Sequence, residues 1–117
     1  MSDRAAKNKV LFVCNQNRMR SPTAEKIFCE HPCLEVKSAG VDKDAMVPIT
    51  GDLLEWADII FVMEKRQRNL IHKRFKDIYQ RKRIVCLYIP DEYDFMDPGL
   101  ILLLKQVTSR YLGKVAG

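Results

Sequence analysis

Apolar and polar positions along the 117-residue chain change period repeatedly, and the changes outline alternating strands and helices. An apolar run, Val10-Leu11-Phe12-Val13, predicts a first strand from about Lys9 to Cys14. Ala24, Ile27 and Phe28 follow at i, i+3, i+4, the core stripe of a helix that begins near Ser21 and stops at His31-Pro32. A short strand is expected at about Leu34 to Ser38, a turn at Gly40, and a polar loop with Pro48 over 41–50. Leu53, Leu54 and Trp56 mark a helix from about Thr50 to Ala57. Ile59-Ile60-Phe61-Val62-Met63 is then an unbroken run suited to a central parallel strand. Ile71, Phe75 and Ile78 give the next segment a helical stripe, and Arg83 to Ile89 reads as a fourth strand. A last helix opens at Asp97-Pro98, the pair expected at N-cap and first turn, with Leu100, Leu103, Leu104, Val107 and Tyr111 as its apolar face.

Strands alternating with helices imply right-handed crossovers. The expected architecture is α/β: one domain over residues 1–117, with a four-stranded parallel sheet in order 2-1-3-4 flanked by helices on both faces. Ligands in such sheets bind at the C-terminal strand ends beside the switch point, which here lies next to strand one. Cys14 and Asp91 both fall on that rim.

The composition, 47% hydrophobic and 30% charged, is that of a soluble globular domain. No apolar run approaches the roughly 20 residues of a membrane span. Residues 1–8 read as a loose polar arm without the apolar stretch of a signal peptide, so the chain is read as cytoplasmic, with reduced thiols. Four cysteines in that setting make no disulfide framework, and Cys86 falls in an apolar strand. Cys29-Glu30-His31-Pro32-Cys33 has the look of a metal clip, yet no second ligand pair matches it; no metal or cofactor is expected. The net charge of +5 suits an anionic partner. Nine of the 20 Lys and Arg residues fall between Lys65 and Arg83; they read as the solvated face of a helix rather than a nucleic-acid surface.

The chemistry concentrates in Cys14-Asn15-Gln16-Asn17-Arg18-Met19-Arg20-Ser21-Pro22. A strand that ends in a short polar loop and feeds a helix gathers backbone N–H groups and the positive helix end at one point, a seat for a tetrahedral anion. A thiol at its base is favoured as the nucleophilic thiolate. Arg20 offers a planar fork for two phosphoryl oxygens. Ser21 carries a hydroxyl that can serve the thiolate or cap the helix.

This loop, with Pro22 and Ala24-Glu25 after it, resembles the signature loop of the low-molecular-weight protein tyrosine phosphatases. The likeness continues in Ser38-Ala39-Gly40, in Leu53 through Glu64, and in an aspartate after the last strand, so it covers most of the chain. The resemblance implies a phosphomonoester hydrolase acting through a cysteinyl phosphate: Cys14 the nucleophile, Arg20 the clamp, the N–H groups of residues 15–20 the cradle, Asn17 and Ser38 its braces. Asn15, Gln16, Asn17, Arg18, Met19, Ser21 and Ser38 are the residues expected around the substrate. Its partner is a phosphorylated substrate, an aryl phosphate or phosphotyrosine, or another oxyanion in the loop.

The family's general acid belongs to an Asp-Pro pair after the last strand. Here Asp97-Pro98 has the dipeptide and Asp91 the position, with Tyr93 following. Asp91 is preferred, because a capping aspartate is occupied by backbone N–H groups and makes a poor proton donor. The chain departs from the family in Gln16 where a glycine is usual, Met19 in place of a second cysteine, Arg18 as an extra charge, and a shorter length. Two other readings remain: an arsenate reductase-like enzyme, which needs further relay cysteines, and an anion-binding module without turnover.

Overall fold

A computed structural model describes the backbone of residues 8–116 and the side chains of residues 8–112. Apart from Asn8, which opens the first strand, the expected N-terminal arm lies outside the described residues. The sheet is parallel throughout, in order β2-β1-β3-β4. β1 (Asn8–Cys14) runs in the middle, between β2 (Leu34–Gly40) and β3 (Ile59–Val62), and β4 (Arg83–Cys86) closes the far edge. This is the architecture that the alternation of periods predicts.

Every residue from Val10 to Val13 is fully buried because both faces of β1 are covered. Val10 and Phe12 point into one core layer, under α1 (Arg20–Phe28) and α5 (Pro98–Ala116). Phe12 stacks on Phe28 at 5.7 Å and on Phe61 at 5.3 Å between ring centroids, so the rings join the two central strands to α1. Leu11 and Val13 point into the other layer, under α2 (Gly51–Trp56), α3 (Lys65–Arg74) and α4 (Lys76–Arg81). Thr50 caps α2, its hydroxyl accepting from the Leu53 N–H at 3.1 Å.

Three local expectations are corrected. The basic segment is two helices, broken at Phe75 (φ −132°, ψ 57°). A stripe at i, i+4, i+7 is blind to such a restart. The break lets α4 lean on α2, where Arg81 pairs with Glu55 and Lys82 Nζ donates to the carbonyls of Glu55 and Ala57 at 2.7 and 2.8 Å. Regular pairing of β4 ends at Cys86, although the Leu87 and Ile89 N–H groups still reach Val62 O and Met63 O at 2.8 Å. Tyr88, in the left-handed region at φ 56°, interrupts it. Cys86 is only half-buried, because its strand is the sheet edge.

Gly40 is where the fold touches the cysteine loop. A Cβ there would lie 2.5 Å from Asn15 O, 2.9 Å from Asn17 N and 2.8 Å from Ala45 Cβ. The loop backbone can settle on the end of β2 only because that carbon is missing. Gly40→Ala is therefore expected to lower stability by about 1–3 kcal/mol through overpacking against backbone. Gly51→Ala, with nothing nearer than 3.6 Å at the start of α2, should be neutral or slightly stabilising. Thermal unfolding of the pair measures the difference.

Candidate active site

β1 delivers Cys14 to its C-terminal end, and residues 15–19 turn the chain into α1. The turn needs one residue in the left-handed region, and Asn17 takes it at φ 58°, a conformation asparagine tolerates well. That bend aims the Asn17 N–H at Cys14 Sγ, 3.2 Å away. The backbone N–H groups of Asn15, Gln16, Arg18 and Met19 have no acceptor among the described residues.

Behind the loop is a buried chain of hydrogen bonds. Asn17 Nδ2 donates to Ser21 Oγ and to Ser38 Oγ, both at 2.9 Å, and the Ser38 hydroxyl donates to the Glu25 carboxylate. Ser21 Oγ lies 3.0 Å from Cys14 Sγ and 3.3 Å from Ala39 O. With Asn17 donating to it, the Ser21 oxygen bridges the sulfur and the Ala39 carbonyl, and its one proton can go to either. The reading of Ser21 as helix cap is overturned. The cap position lies two residues earlier, at Met19, with no side-chain cap, and the Ser21 hydroxyl contacts the sulfur and the loop instead.

Arg20 is 2% exposed, and a guanidinium so buried must be paired. Its Nη1 donates to Glu64 Oε1 and to Ile89 O, each at 2.8 Å, while Nε lies 3.7 Å from Asp91 Oδ1. Glu64 leads into α3, and that helix start also holds the near side of the loop. Gln67, fully buried, accepts from the Glu64 N–H at 2.5 Å and donates to Asn15 Oδ1 at 2.8 Å. Arg66 donates to the same Asn15 oxygen at 2.6 Å and pairs with Asp42 at 3.1 Å. The segment after β2 adds two backbone bonds, Asp42 N–H to Asn15 O and Met46 N–H to Gln16 O, at 2.9 and 3.0 Å.

In front of the loop is a half-open cavity of about 310 Å³, lined by Cys14, Asn15, Gln16, Arg18, Met19, Arg20, Asp42 and Asp91. Asn17, Ser21 and Ser38, expected around the substrate, stand behind this wall instead and hold the loop and the sulfur. The two candidate acids separate. Asp91 is at the cavity mouth, 63% exposed, whereas Asp97 Oδ1 accepts from the N–H groups of Gly99 and Leu100 at 2.7 and 3.4 Å and caps α5. Glu64, Gln67, Arg66 and Asp42 were not singled out from the sequence; the one signal was a carboxylate directly after an apolar strand, on the same rim as Cys14. Cys29 and Cys33 are exposed, and His31 Nδ1 accepts the Cys33 N–H. Among the described residues no three His, Cys, Asp or Glu side chains come together as a metal site would require.

No family model matches the chain, and no curated protein matches it by sequence. Solved structures do share its fold, which is that of the low-molecular-weight tyrosine phosphatases. The tyrosine phosphatase Wzb from Escherichia coli K30, in complex with phosphate, is 20% identical with a TM-score of 0.74, over 92% of this chain and 98% of that one. SP-PTP from Streptococcus pyogenes, a low-molecular-weight protein tyrosine phosphatase, is 17% identical with a TM-score of 0.76, over 94% of each chain. The YwlE arginine phosphatase from Geobacillus stearothermophilus is 19% identical with a TM-score of 0.70, over 92% of this chain and 94% of that one.

Removing the charge opposite Arg20 should be felt in the whole fold. Glu64→Gln is expected to cost about 1–2 kcal/mol, less than for a sealed pair because Glu64 is itself 37% exposed. Glu55→Gln, which removes a pair at the surface, should leave the unfolding midpoint unchanged. Chemical denaturation of both variants checks the contrast.

Proposed function

We propose that this chain is a cysteine-dependent phosphomonoester hydrolase of the protein tyrosine phosphatase type. The observation that carries the reading is the surround of Cys14 Sγ: an N–H at 3.2 Å, a hydroxyl at 3.0 Å, and a loop whose remaining N–H groups are unspent. The N–H and the hydroxyl beside sulfur hold it at the base of the loop as the attacking atom, and free donors ahead of it fit a phosphoryl group. Arg20, fixed through Nη1 by Glu64 and Ile89, keeps the rest of its fork for equatorial oxygens.

The reaction then runs in two displacements. The Cys14 thiolate attacks phosphorus, the P–O bond to the leaving group breaks, and Asp91 gives that oxygen its proton. Water next attacks the cysteinyl phosphate, the Asp91 carboxylate takes a proton from it, and inorganic phosphate leaves with the thiolate restored. Neighbours of the same fold have been solved with phosphate and with sulphate, which supports an oxyanion in this loop. An arsenate reductase needs a second thiol to receive the disulfide. Cys29 and Cys33 lie exposed at the far end of α1 and Cys86 is on the sheet edge, so none lines the cavity. No helix among the described residues is long and apolar enough to cross a membrane. We read the protein as cytoplasmic and its partner as a phosphorylated substrate rather than nucleic acid.

Turnover of p-nitrophenyl phosphate tests the reading. Cys14→Ser should abolish it while the fold and phosphate binding persist, because a neutral hydroxyl is a far weaker nucleophile than a thiolate. Arg20→Lys should be severely impaired, since an ammonium cannot reproduce the two-pronged contact. Activity near wild type in Cys14→Ser sinks the covalent mechanism, and phosphate binding without turnover in the wild type leaves an anion-binding module.

The acid is tested by a pair of substitutions. Asp91→Asn should lose on the order of 10²–10⁴ in rate, and the loss should shrink as the leaving group becomes more acidic. Asp97→Asn should change stability by about 1 kcal/mol or less, because asparagine caps a helix nearly as well. A leaving-group-dependent loss confined to Asp97→Asn reverses the assignment.

A further inference from the structure

The cavity wall carries four charged side chains, Arg18, Arg20, Asp42 and Asp91. Three of them are balanced: Arg20 by Glu64 and Asp91, Asp42 by Arg66, Asp91 by Arg20. Arg18 alone has no ion-pair or hydrogen-bond partner among the described residues, although it sits in the loop between the nucleophile and the clamp. The mouth of the site therefore presents one unpaired guanidinium beside the seat of the phosphoryl group.

The same wall has no aromatic side chain. Tyr93, the nearest tyrosine after Asp91 in sequence, packs against the core and faces α5, its ring edge 3.7 Å from where a Cβ on Gly99 would stand. Tyr88, exposed, lines a separate groove with Glu64, Lys65, Arg66 and Pro90. With no aromatic face in the wall, the unpaired charge of Arg18 is its distinctive feature toward a leaving group.

On the reading of the site as a phosphomonoesterase, we infer that Arg18 is the subsite for a second anionic group on the substrate. The preferred substrate class is a phosphomonoester that also carries a carboxylate or a second phosphate close to the scissile one. The guanidinium meets such a group with its planar fork, while the loop and Arg20 hold the phosphoryl group to be transferred. Because Arg18 is exposed, the gain is moderate and sensitive to salt.

The experiment measures binding of non-hydrolysable ligands, so that it does not depend on turnover. Benzylphosphonates bearing a meta carboxylate, a meta phosphonate, or a neutral meta carbamoyl group are titrated into wild type, Arg18→Ala and Arg18→Lys at low ionic strength. Wild type should bind both charged ligands about three- to tenfold more tightly than the carbamoyl compound. That ratio should fall to about one in Arg18→Ala, survive in part in Arg18→Lys, and shrink at high salt. Stronger selection of the phosphonate than of the carboxylate identifies a bisphosphorylated substrate; the opposite order identifies a carboxylated one. A ratio of one in the wild type, or a preference unchanged by Arg18→Ala, overturns the inference. Failure of the hydrolase reading has a different signature: no turnover of any aryl phosphate by the wild type, whatever the binding ratios.

Discussion

A guanidinium withdrawn from water is the constraint around which this molecule is arranged. Among the described residues, Arg20 is one of the largest fully buried side chains and the one of them that carries a charge. Burying it is tolerable only if its donors are met, and the partners come from three separate places: the carboxylate at the head of α3, the carbonyl of Ile89, and the aspartate just beyond. Those partners stand at the C-terminal ends of β3 and β4, and Arg20 itself follows β1. The central strand and its neighbours on one side are thereby fixed relative to one another at the rim where the cysteine sits. The site and the alignment of the sheet are one problem, solved by the same hydrogen bonds.

Around that anchor the loop is held from two directions by different means. On the β2 side the means is steric: Gly40 lets the backbone of residues 15 and 17 come within contact of the strand end. On the α3 side it is polar: the buried Gln67 amide ties the start of its helix to Asn15. Neither Gly40 nor Gln67 lines the cavity, yet both bear on where its N–H groups lie. The bend at Asn17 then needs no further support than its own amide, which spans Ser21 and Ser38.

The sequence announced some of this and concealed the rest for identifiable reasons. Strands such as Val10–Val13 and Ile59–Val62 are legible because a strand buried on both faces must be apolar without interruption. Which face of the sheet each helix covers follows from crossovers having one hand. The separation of Asp91 from Asp97 was legible too, since Asp97-Pro98 has the form of a helix start wherever it occurs. Glu64 and Gln67 were not, because their partners Arg20 and Asn15 lie far away in sequence and no local period encodes the pairing. Ser21 offered two legitimate uses of one hydroxyl, at the sulfur or as a helix cap, and the sequence leaves both open. Only the positions of Cys14 and Asn17 decide between them. The restart of the basic helix at Phe75 escaped for a simpler reason: its apolar residues keep helical spacing across the break.

The order in which the chain supplies these pieces has a consequence for its synthesis. Cys14 and the loop are made early, while Glu64 and Gln67 come from the middle of the chain and Ile89 and Asp91 from its last third. A ribosome releasing the chain from its N-terminus at several residues per second exposes the thiol well before anything exists to hold the loop around it. During that interval Cys14 is an ordinary cysteine on an unfolded segment, with the reactivity of a free thiol and none of the cradle's. The loop can reach its final form only late, once the chain beyond β4 has been made and the buried guanidinium can meet the Ile89 carbonyl.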